Sequence, residues 1–227
     1  MEVISVPLYA PPGVPPCKIL INSKLCMKVA IIKYNAGNIQ SVDYALKRLG
    51  VEASVTADQD EIRAADRVIF PGVGEASTTM AYLRKHGLDR LIAGLKQPVL
   101  GICLGLQLMC RHSEEGDVEC LGIFEETVRR FVLQPEILPS MKIPHMGWNT
   151  ISALKSDLFN DLQEGKHCYF VHSYYATIGS DTAGICSYPQ PFSAALQKNN
   201  FYAVQFHPEK SGPVGAGILE NFLNLKA

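Results

Sequence analysis

No apolar run in this 227-residue chain approaches the ~20 residues that a membrane-spanning helix needs. Net charge is nearly absent as well. The formal value is −1, with a sequence pI near 6.6, so there is no basic footprint for nucleic acid or an anionic membrane. Seven cysteines (Cys17, Cys26, Cys103, Cys110, Cys120, Cys168 and Cys186) are scattered without a single C-x-x-C pair. That spacing excludes the usual zinc site and, at this length, a disulfide scaffold. A reducing cytoplasm is the compartment expected. In the first turn Gly37 stands alone, short of the G-x-G-x-x-G of a dinucleotide fold, and neither cofactor nor metal is expected. Trp148 is the only tryptophan.

What is present is the composition of an ordinary globular protein, 47% hydrophobic and 19% charged, long enough for one substantial α/β domain. Residues 1–26 differ in texture from the rest. They carry Pro7, Pro11, Pro12, Pro15 and Pro16 with neither helical nor strand period. They also lack the basic start and apolar core of a secretory signal. We read them as a proline-rich N-terminal extension, with the folded domain at 27–227.

From Met27 onward strands and helices alternate. Strands are expected at 28–32, 52–56, 67–70 and 99–103, and helices at 39–49, 58–64, 77–86 and 88–96. This order predicts an open, mostly parallel central sheet with helices on both faces. Shorter strands at 120–124, 127–131, 168–174, 183–187, 194–197 and 201–206 predict a smaller antiparallel β region. The last two flank the hairpin signal Lys198-Asn199-Asn200. The stretch 143–149, bounded by Pro144 and Gly147, reads as a loop that serves either as a core plug or as a contact surface. Tryptophan's enrichment at interface centres favours contact.

One stretch organises these elements. In Gly101-Ile102-Cys103-Leu104-Gly105 an apolar strand meets a helix-forming run at a cysteine flanked by glycines. This is the G-x-S-x-G arrangement with sulfur in place of oxygen. A helix beginning there favours the thiolate, the form that attacks carbonyls. A buried, inert cysteine at the end of a strand is the plain alternative. Gln107 lies one helical turn on and can hold a polar substrate. Of Glu114 and Glu115, one can hold a substrate ammonium unless both are simply solvated. Pro71-Gly72-Val73-Gly74 is either an ordinary turn or a source of backbone N–H groups for an oxyanion. Among six histidines, His207 and His172 each follow an apolar strand, but only His207 has a carboxylate two residues on, Glu209. A carboxylate so placed can orient the ring and stabilise imidazolium.

These residues together resemble the class I (triad) glutamine amidotransferases. Within that family, Pro71-Gly72-Val73-Gly74, Pro144-His145-Met146-Gly147-Trp148-Asn149, Phe170-Val171-His172-Ser173-Tyr174 and Gln205–Gly212 are similar to the branch that serves imidazole glycerol phosphate formation in histidine biosynthesis. The resemblance runs from Met27 to the C-terminus. It implies a catalytic triad of Cys103, His207 and Glu209, and an oxyanion site at the N–H groups of Val73 and Leu104. It implies glutamine contacts from Gly72, Gln107, Glu115, Ser173 and Tyr174. It also implies a partner, a (β/α)8 cyclase subunit that receives ammonia through an internal tunnel, with Asn38, Met146 and Trp148 at the interface. Lys33 and Asn35 depart from the usual first turn. The rival readings are a stand-alone cysteine hydrolase on the same fold, the glutaminase of another class I amidotransferase, and a binding module that keeps only the fold.

Overall fold

The computed structural model describes residues 27–34, 39–134 and 141–225. The expectations placed on 1–26 and on Asn38 lie outside those residues.

Apolar runs build the centre. Val29–Ile32 (β1), Arg67–Gly72 (β3), Val99–Cys103 (β4) and Phe201–Val204 (β13) are buried at every position, as strands covered on both faces must be. With Ala53–Thr56 (β2) at the edge they form a parallel array in the order β2-β1-β3-β4-β13. Successive side chains of a strand point to opposite faces, and the core divides accordingly. Ile31, Ile69, Leu100 and Ile102 pack with Val42 and Leu46 of helix α1 (Ile39–Arg48) and with Ile218 and Phe222 of helix α6 (Gly212–Asn224). Ile32, Val68, Phe70 and Val99 pack on the other side, against Ile62 of α2 (Gln59–Arg63), Leu83 of α3 (Ala76–Lys85) and Ile92 of α4 (Leu88–Gly94). Asp58 fixes the start of α2 by accepting from the N–H groups of Asp60 and Glu61.

Beyond β13 the sheet continues through β12 (Pro191–Lys198), β10 (Tyr174–Ala176), β7 (Thr127–Arg130), β5 (His112–Ser113) and β6 (Val118–Glu119), with β11 (Thr182–Ser187) beside β12. These mostly antiparallel strands extend the central sheet, while the smaller antiparallel region includes a second, two-stranded sheet that stands apart from it. The hairpin turn is at its expected place, with Asn199 at φ 54°.

Three local expectations are corrected. Residues 120–124 are not a strand. Their N–H groups turn back to cap the carbonyls at the end of helix α5 (Leu104–Met109). Leu121 donates to Leu108, Gly122 to Cys110, and Ile123 and Phe124 to Met109. Residues 143–149 are not a loop. His145–Thr150 forms strand β8, with His145 buried and Met146 and Trp148 facing out, paired antiparallel to β9 (His167–His172) in a sheet of its own. Finally, 168–174 is broken at Ser173: β9 belongs to the small sheet and β10 to the large one. Among the described residues, no helix is long and apolar enough to cross a membrane.

Candidate active site

The strand β4 ends at Cys103 and the next residue begins α5, so the chain turns at one position. Cys103 absorbs that turn with φ 55° and ψ −109°, a conformation costly for a residue with a Cβ. The flanking glycine serves closeness of approach rather than dihedral freedom. A Cβ on Gly105 would stand 2.0 Å from the carbonyl oxygen of Phe70. Only glycine lets α5 sit this close to β3, and that seat holds the cysteine at the carboxyl edge of the sheet.

β13 runs beside β4 with Val204 opposite Ile102, so the chain leaving β13 reaches the same edge. There His207 N–H donates to Tyr169 O of β9 at 2.9 Å, and a single 3-10 turn, Pro208–Lys210, follows. That turn folds Glu209 back onto the ring. His207 Nδ1 donates to Glu209 Oε1 at 2.8 Å, with both side chains almost wholly buried. The other ring nitrogen, Nε2, is buried with no hydrogen-bond partner at normal distance. Burial lowers the basicity of this imidazole, but the Cys103 side chain and Glu209 together outweigh it and raise the pKa to about 10. The arrangement favours imidazolium beside the Cys103 side chain.

Cys103 and His207 open into a cleft of about 300 Å³, lined also by Val73, Leu104, Gln107, Glu115, Ser173 and Tyr174. Leu104 is the first residue of α5, so its N–H has no carbonyl within the helix to bond. Gln107 is buried, and its amide nitrogen donates to Tyr174 O and to Gln205 Oε1, each at 2.9 Å. Glu115 is half-buried and accepts from Ala76 N at 3.0 Å, and burial raises its pKa. Gly72 stands behind the cleft rather than in it. With Val73, His207 and Glu209 it lines a minute void, and a Cβ there would come within 2.8 Å of Leu104, Gly105 and Tyr34. Its part is to let β3 pass the elbow. Met146 and Trp148 are 62% and 56% exposed on the outer face of β8. Trp148 lies edge-on to Tyr169, whose ring is overlain by Lys210.

The sequence pattern of the family described as glutamine amidotransferase class-I matches residues 30–225. The chain belongs to that family. This amidotransferase is 63% identical over 199 residues to the imidazole glycerol phosphate synthase subunit HisH of Bacteroides fragilis, a match that covers 88% of this chain and all of that protein. It is 43% identical over 205 residues to the protein of the same name from Vibrio parahaemolyticus, covering 87% of this chain and 98% of that one. Its fold also matches more distant solved structures. One is PurLQS from Thermotoga maritima, with a TM-score of 0.65 at 15% identity, covering 87% of this chain and 98% of that one. Another is a glutamine amidotransferase from the same organism, with a TM-score of 0.60 at 12% identity, covering 88% and 99%.

Two residues at the amidotransferase's site had no role in the sequence reading. Gln205 is wholly buried, and its Nε2 donates to Cys103 Sγ at 3.7 Å while its Oε1 receives Gln107. A lone carboxamide in the apolar run 201–206 was the available signal. Tyr34 donates its hydroxyl to Pro71 O behind the Gly72 turn. Nothing local distinguishes it from a core tyrosine.

His172 lines the cleft, and with His145 it is kept neutral. Burial lowers His172 to about 3 and His145 to about 4. Unfolded, both titrate near 6.5. Below that pH the unfolded chain binds protons that the fold refuses, so stability falls as pH drops from 6.5 toward 4. The slope is about 1 kcal/mol per pH unit for each histidine. Urea midpoints at pH 7 and pH 4.5 measure this loss, and it should shrink in His145→Phe. An unchanged acid loss would place its origin elsewhere.

Proposed function

We propose that this protein is the glutaminase subunit of an imidazole glycerol phosphate synthase, with Cys103, His207 and Glu209 as its catalytic triad. The observation that carries the reading is the meeting, at one sheet edge, of a cysteine on a strained strand–helix turn with a buried, carboxylate-held imidazole. The Cys103 thiolate attacks the side-chain amide carbon of glutamine. Charge gathers on the carbonyl oxygen, where the N–H groups of Val73 and Leu104 receive it, the former after its peptide turns inward. His207 gives its proton to the departing nitrogen, and ammonia leaves behind a thioester. Water, deprotonated by the same imidazole, then adds to the thioester carbon, glutamate departs, and the proton returns the pair to its resting state. Gln107, Glu115 and the Ser173–Tyr174 backbone hold the glutamine, while Gly72 shapes the turn.

Ammonia released into water at neutral pH mostly takes up a proton and loses its nucleophilic lone pair. A dry passage to the acceptor is therefore needed, and the reading assigns it to a (β/α)8 cyclase subunit in a heterodimer. Exposed Met146 and Trp148 on β8 supply the apolar, aromatic contacts that such an interface uses. Residues 27–227 form the amidotransferase unit, which the full-length match to relatives of about this size supports, and 1–26 are a proline-rich extension to it. Free thiols at every described cysteine accord with a cytoplasmic setting.

Glutamate release measured with the isolated protein, and again with the cyclase and its ligand, tests this. Activity that is low alone and rises with the loaded partner is expected. Full activity without the partner, or a preference for γ-glutamyl peptides, would return the stand-alone hydrolase.

A further inference from the structure

His145 and His172 face one another across the β8–β9 ladder, and the hydrogen bonds around them leave a single arrangement of protons. At one end stands Asn149. Its Oδ1 accepts from Thr150 N at 2.8 Å, and its Nδ2 donates to Ser187 O at 3.1 Å and toward His145 Nε2 at 3.3 Å. At the other end His172 Nδ1 lies 2.7 Å from Tyr174 O, which can only accept. Between them His145 Nδ1 is 3.0 Å from His172 Nε2. An amide nitrogen can only donate, so His145 Nε2 must be the bare nitrogen and its proton must sit on Nδ1. That proton points at His172 Nε2, which must therefore be bare, leaving the His172 proton on Nδ1 for Tyr174 O. Starting from Tyr174 gives the same order in reverse. Both rings are buried and kept neutral, with one proton each. The His145 ring is held flat between Tyr188, at 4.0 Å and 15°, and Phe170, at 4.9 Å and 24°.

The Tyr174 carbonyl on which this chain ends is the same oxygen that receives Gln107 Nε2. If His172 carried its proton on Nε2, a lone pair would face that oxygen at hydrogen-bonding distance. The backbone at Ser173–Tyr174, together with the seat of Gln107, would have to move. The wall of the cleft facing Cys103 thus depends on a tautomer set one residue further out.

We propose that His145 is a positioning residue: by fixing the tautomer of His172 it holds the Tyr174 carbonyl, and with it Gln107, in the geometry that binds glutamine. This rests on the reading of the cleft as the glutamine site. His145 touches neither the sulfur nor the substrate, so its influence falls on affinity rather than on the chemical step.

Nitrogen-15 imidazole shifts of the full chain report the tautomer directly, without substrate. His172 is expected as a single form, protonated at Nδ1. A phenyl ring fits the aromatic slot but donates nothing. His145→Phe should therefore mix the His172 tautomers and raise KM for glutamine about tenfold, the scale of one lost hydrogen bond, with kcat within about threefold. His145→Asn places an amide nitrogen where Nδ1 stood and should restore both the tautomer and KM. Four results would each overturn the proposal: wild-type His172 protonated at Nε2, an unchanged KM in His145→Phe, a fall in kcat at constant KM, or no rescue by His145→Asn. If His145→Phe does not fold, the wild-type spectrum still decides. Glutaminase activity surviving in Cys103→Ala would instead remove the glutamine-site reading while leaving the tautomer result untouched.

Discussion

Replacing Cys103 with alanine is expected to lower glutamine hydrolysis by at least about a thousandfold, because no other nucleophile can form the thioester. The substitution isolates chemistry from folding. Alanine keeps the Cβ and therefore the same backbone demand at φ 55°. The sulfur's neighbours, Val171 O at 3.9 Å and Gln205 Nε2 at 3.7 Å, are weak contacts to lose. Assembly with the cyclase should be unaffected, and the complex should still make product when ammonia is supplied in solution. Paired assays of glutamine-fed and ammonia-fed synthesis measure this. Loss of both activities in a correctly assembled complex would contradict a division of labour between the two proteins. Retained glutamine turnover would remove Cys103 from the chemistry altogether.

His207→Ala should cost about as much, on the order of a thousandfold or more. In the proposed mechanism the imidazole has three tasks: it pairs with the attacking sulfur, hands a proton to the leaving nitrogen, and activates the water that clears the thioester. These tasks depend on Cys103 as their partner, so the double variant should be little worse than either single one. The contrast with His172 is the sharper test. Both histidines follow apolar strands and both line the cleft. His207 rests against a carboxylate and beside Cys103, which raise it to about 10 despite burial, whereas burial lowers His172 to about 3 although its ring rests on a carbonyl. Only the first can hold a second ring proton near neutral pH. His172→Ala should therefore lose affinity for glutamine while keeping turnover at saturation. The reverse pattern, with His207→Ala active and His172→Ala silent, would exchange their roles.

The parallel half of the fold was legible because its signals are local. Runs such as Val29–Ile32 and Val99–Cys103 must be apolar throughout when helices cover both faces. Asp58 at the start of α2, and Gly50, at φ 77° just past the end of α1, mark helix ends by chemistry that acts within a turn. The cysteine elbow was legible for the same reason, since strand, glycines and helix are contiguous. So was the His207–Glu209 pair, because Pro208, the single residue between them, stiffens the link. The second half was harder, because there the partner of a segment lies far along the chain. Residues 120–124 look like a strand, yet their N–H groups are taken by the end of α5. Residues 143–149 look like a loop until β9 is available to pair with them.

Taken alone, the sequence determined the strand–helix order, the cysteine on its bend and the histidine with a carboxylate in reach. Each of these is specified by residues within a few positions of one another. Tertiary structure alone decided that Gln205 bridges Gln107 and Cys103, that Gly72 shapes the cleft from behind, and that His145 and His172 stand ring to ring. Those relations join residues as many as 102 positions apart, and hydrogen bonds of that separation come from sheet order and register, which no local pattern encodes.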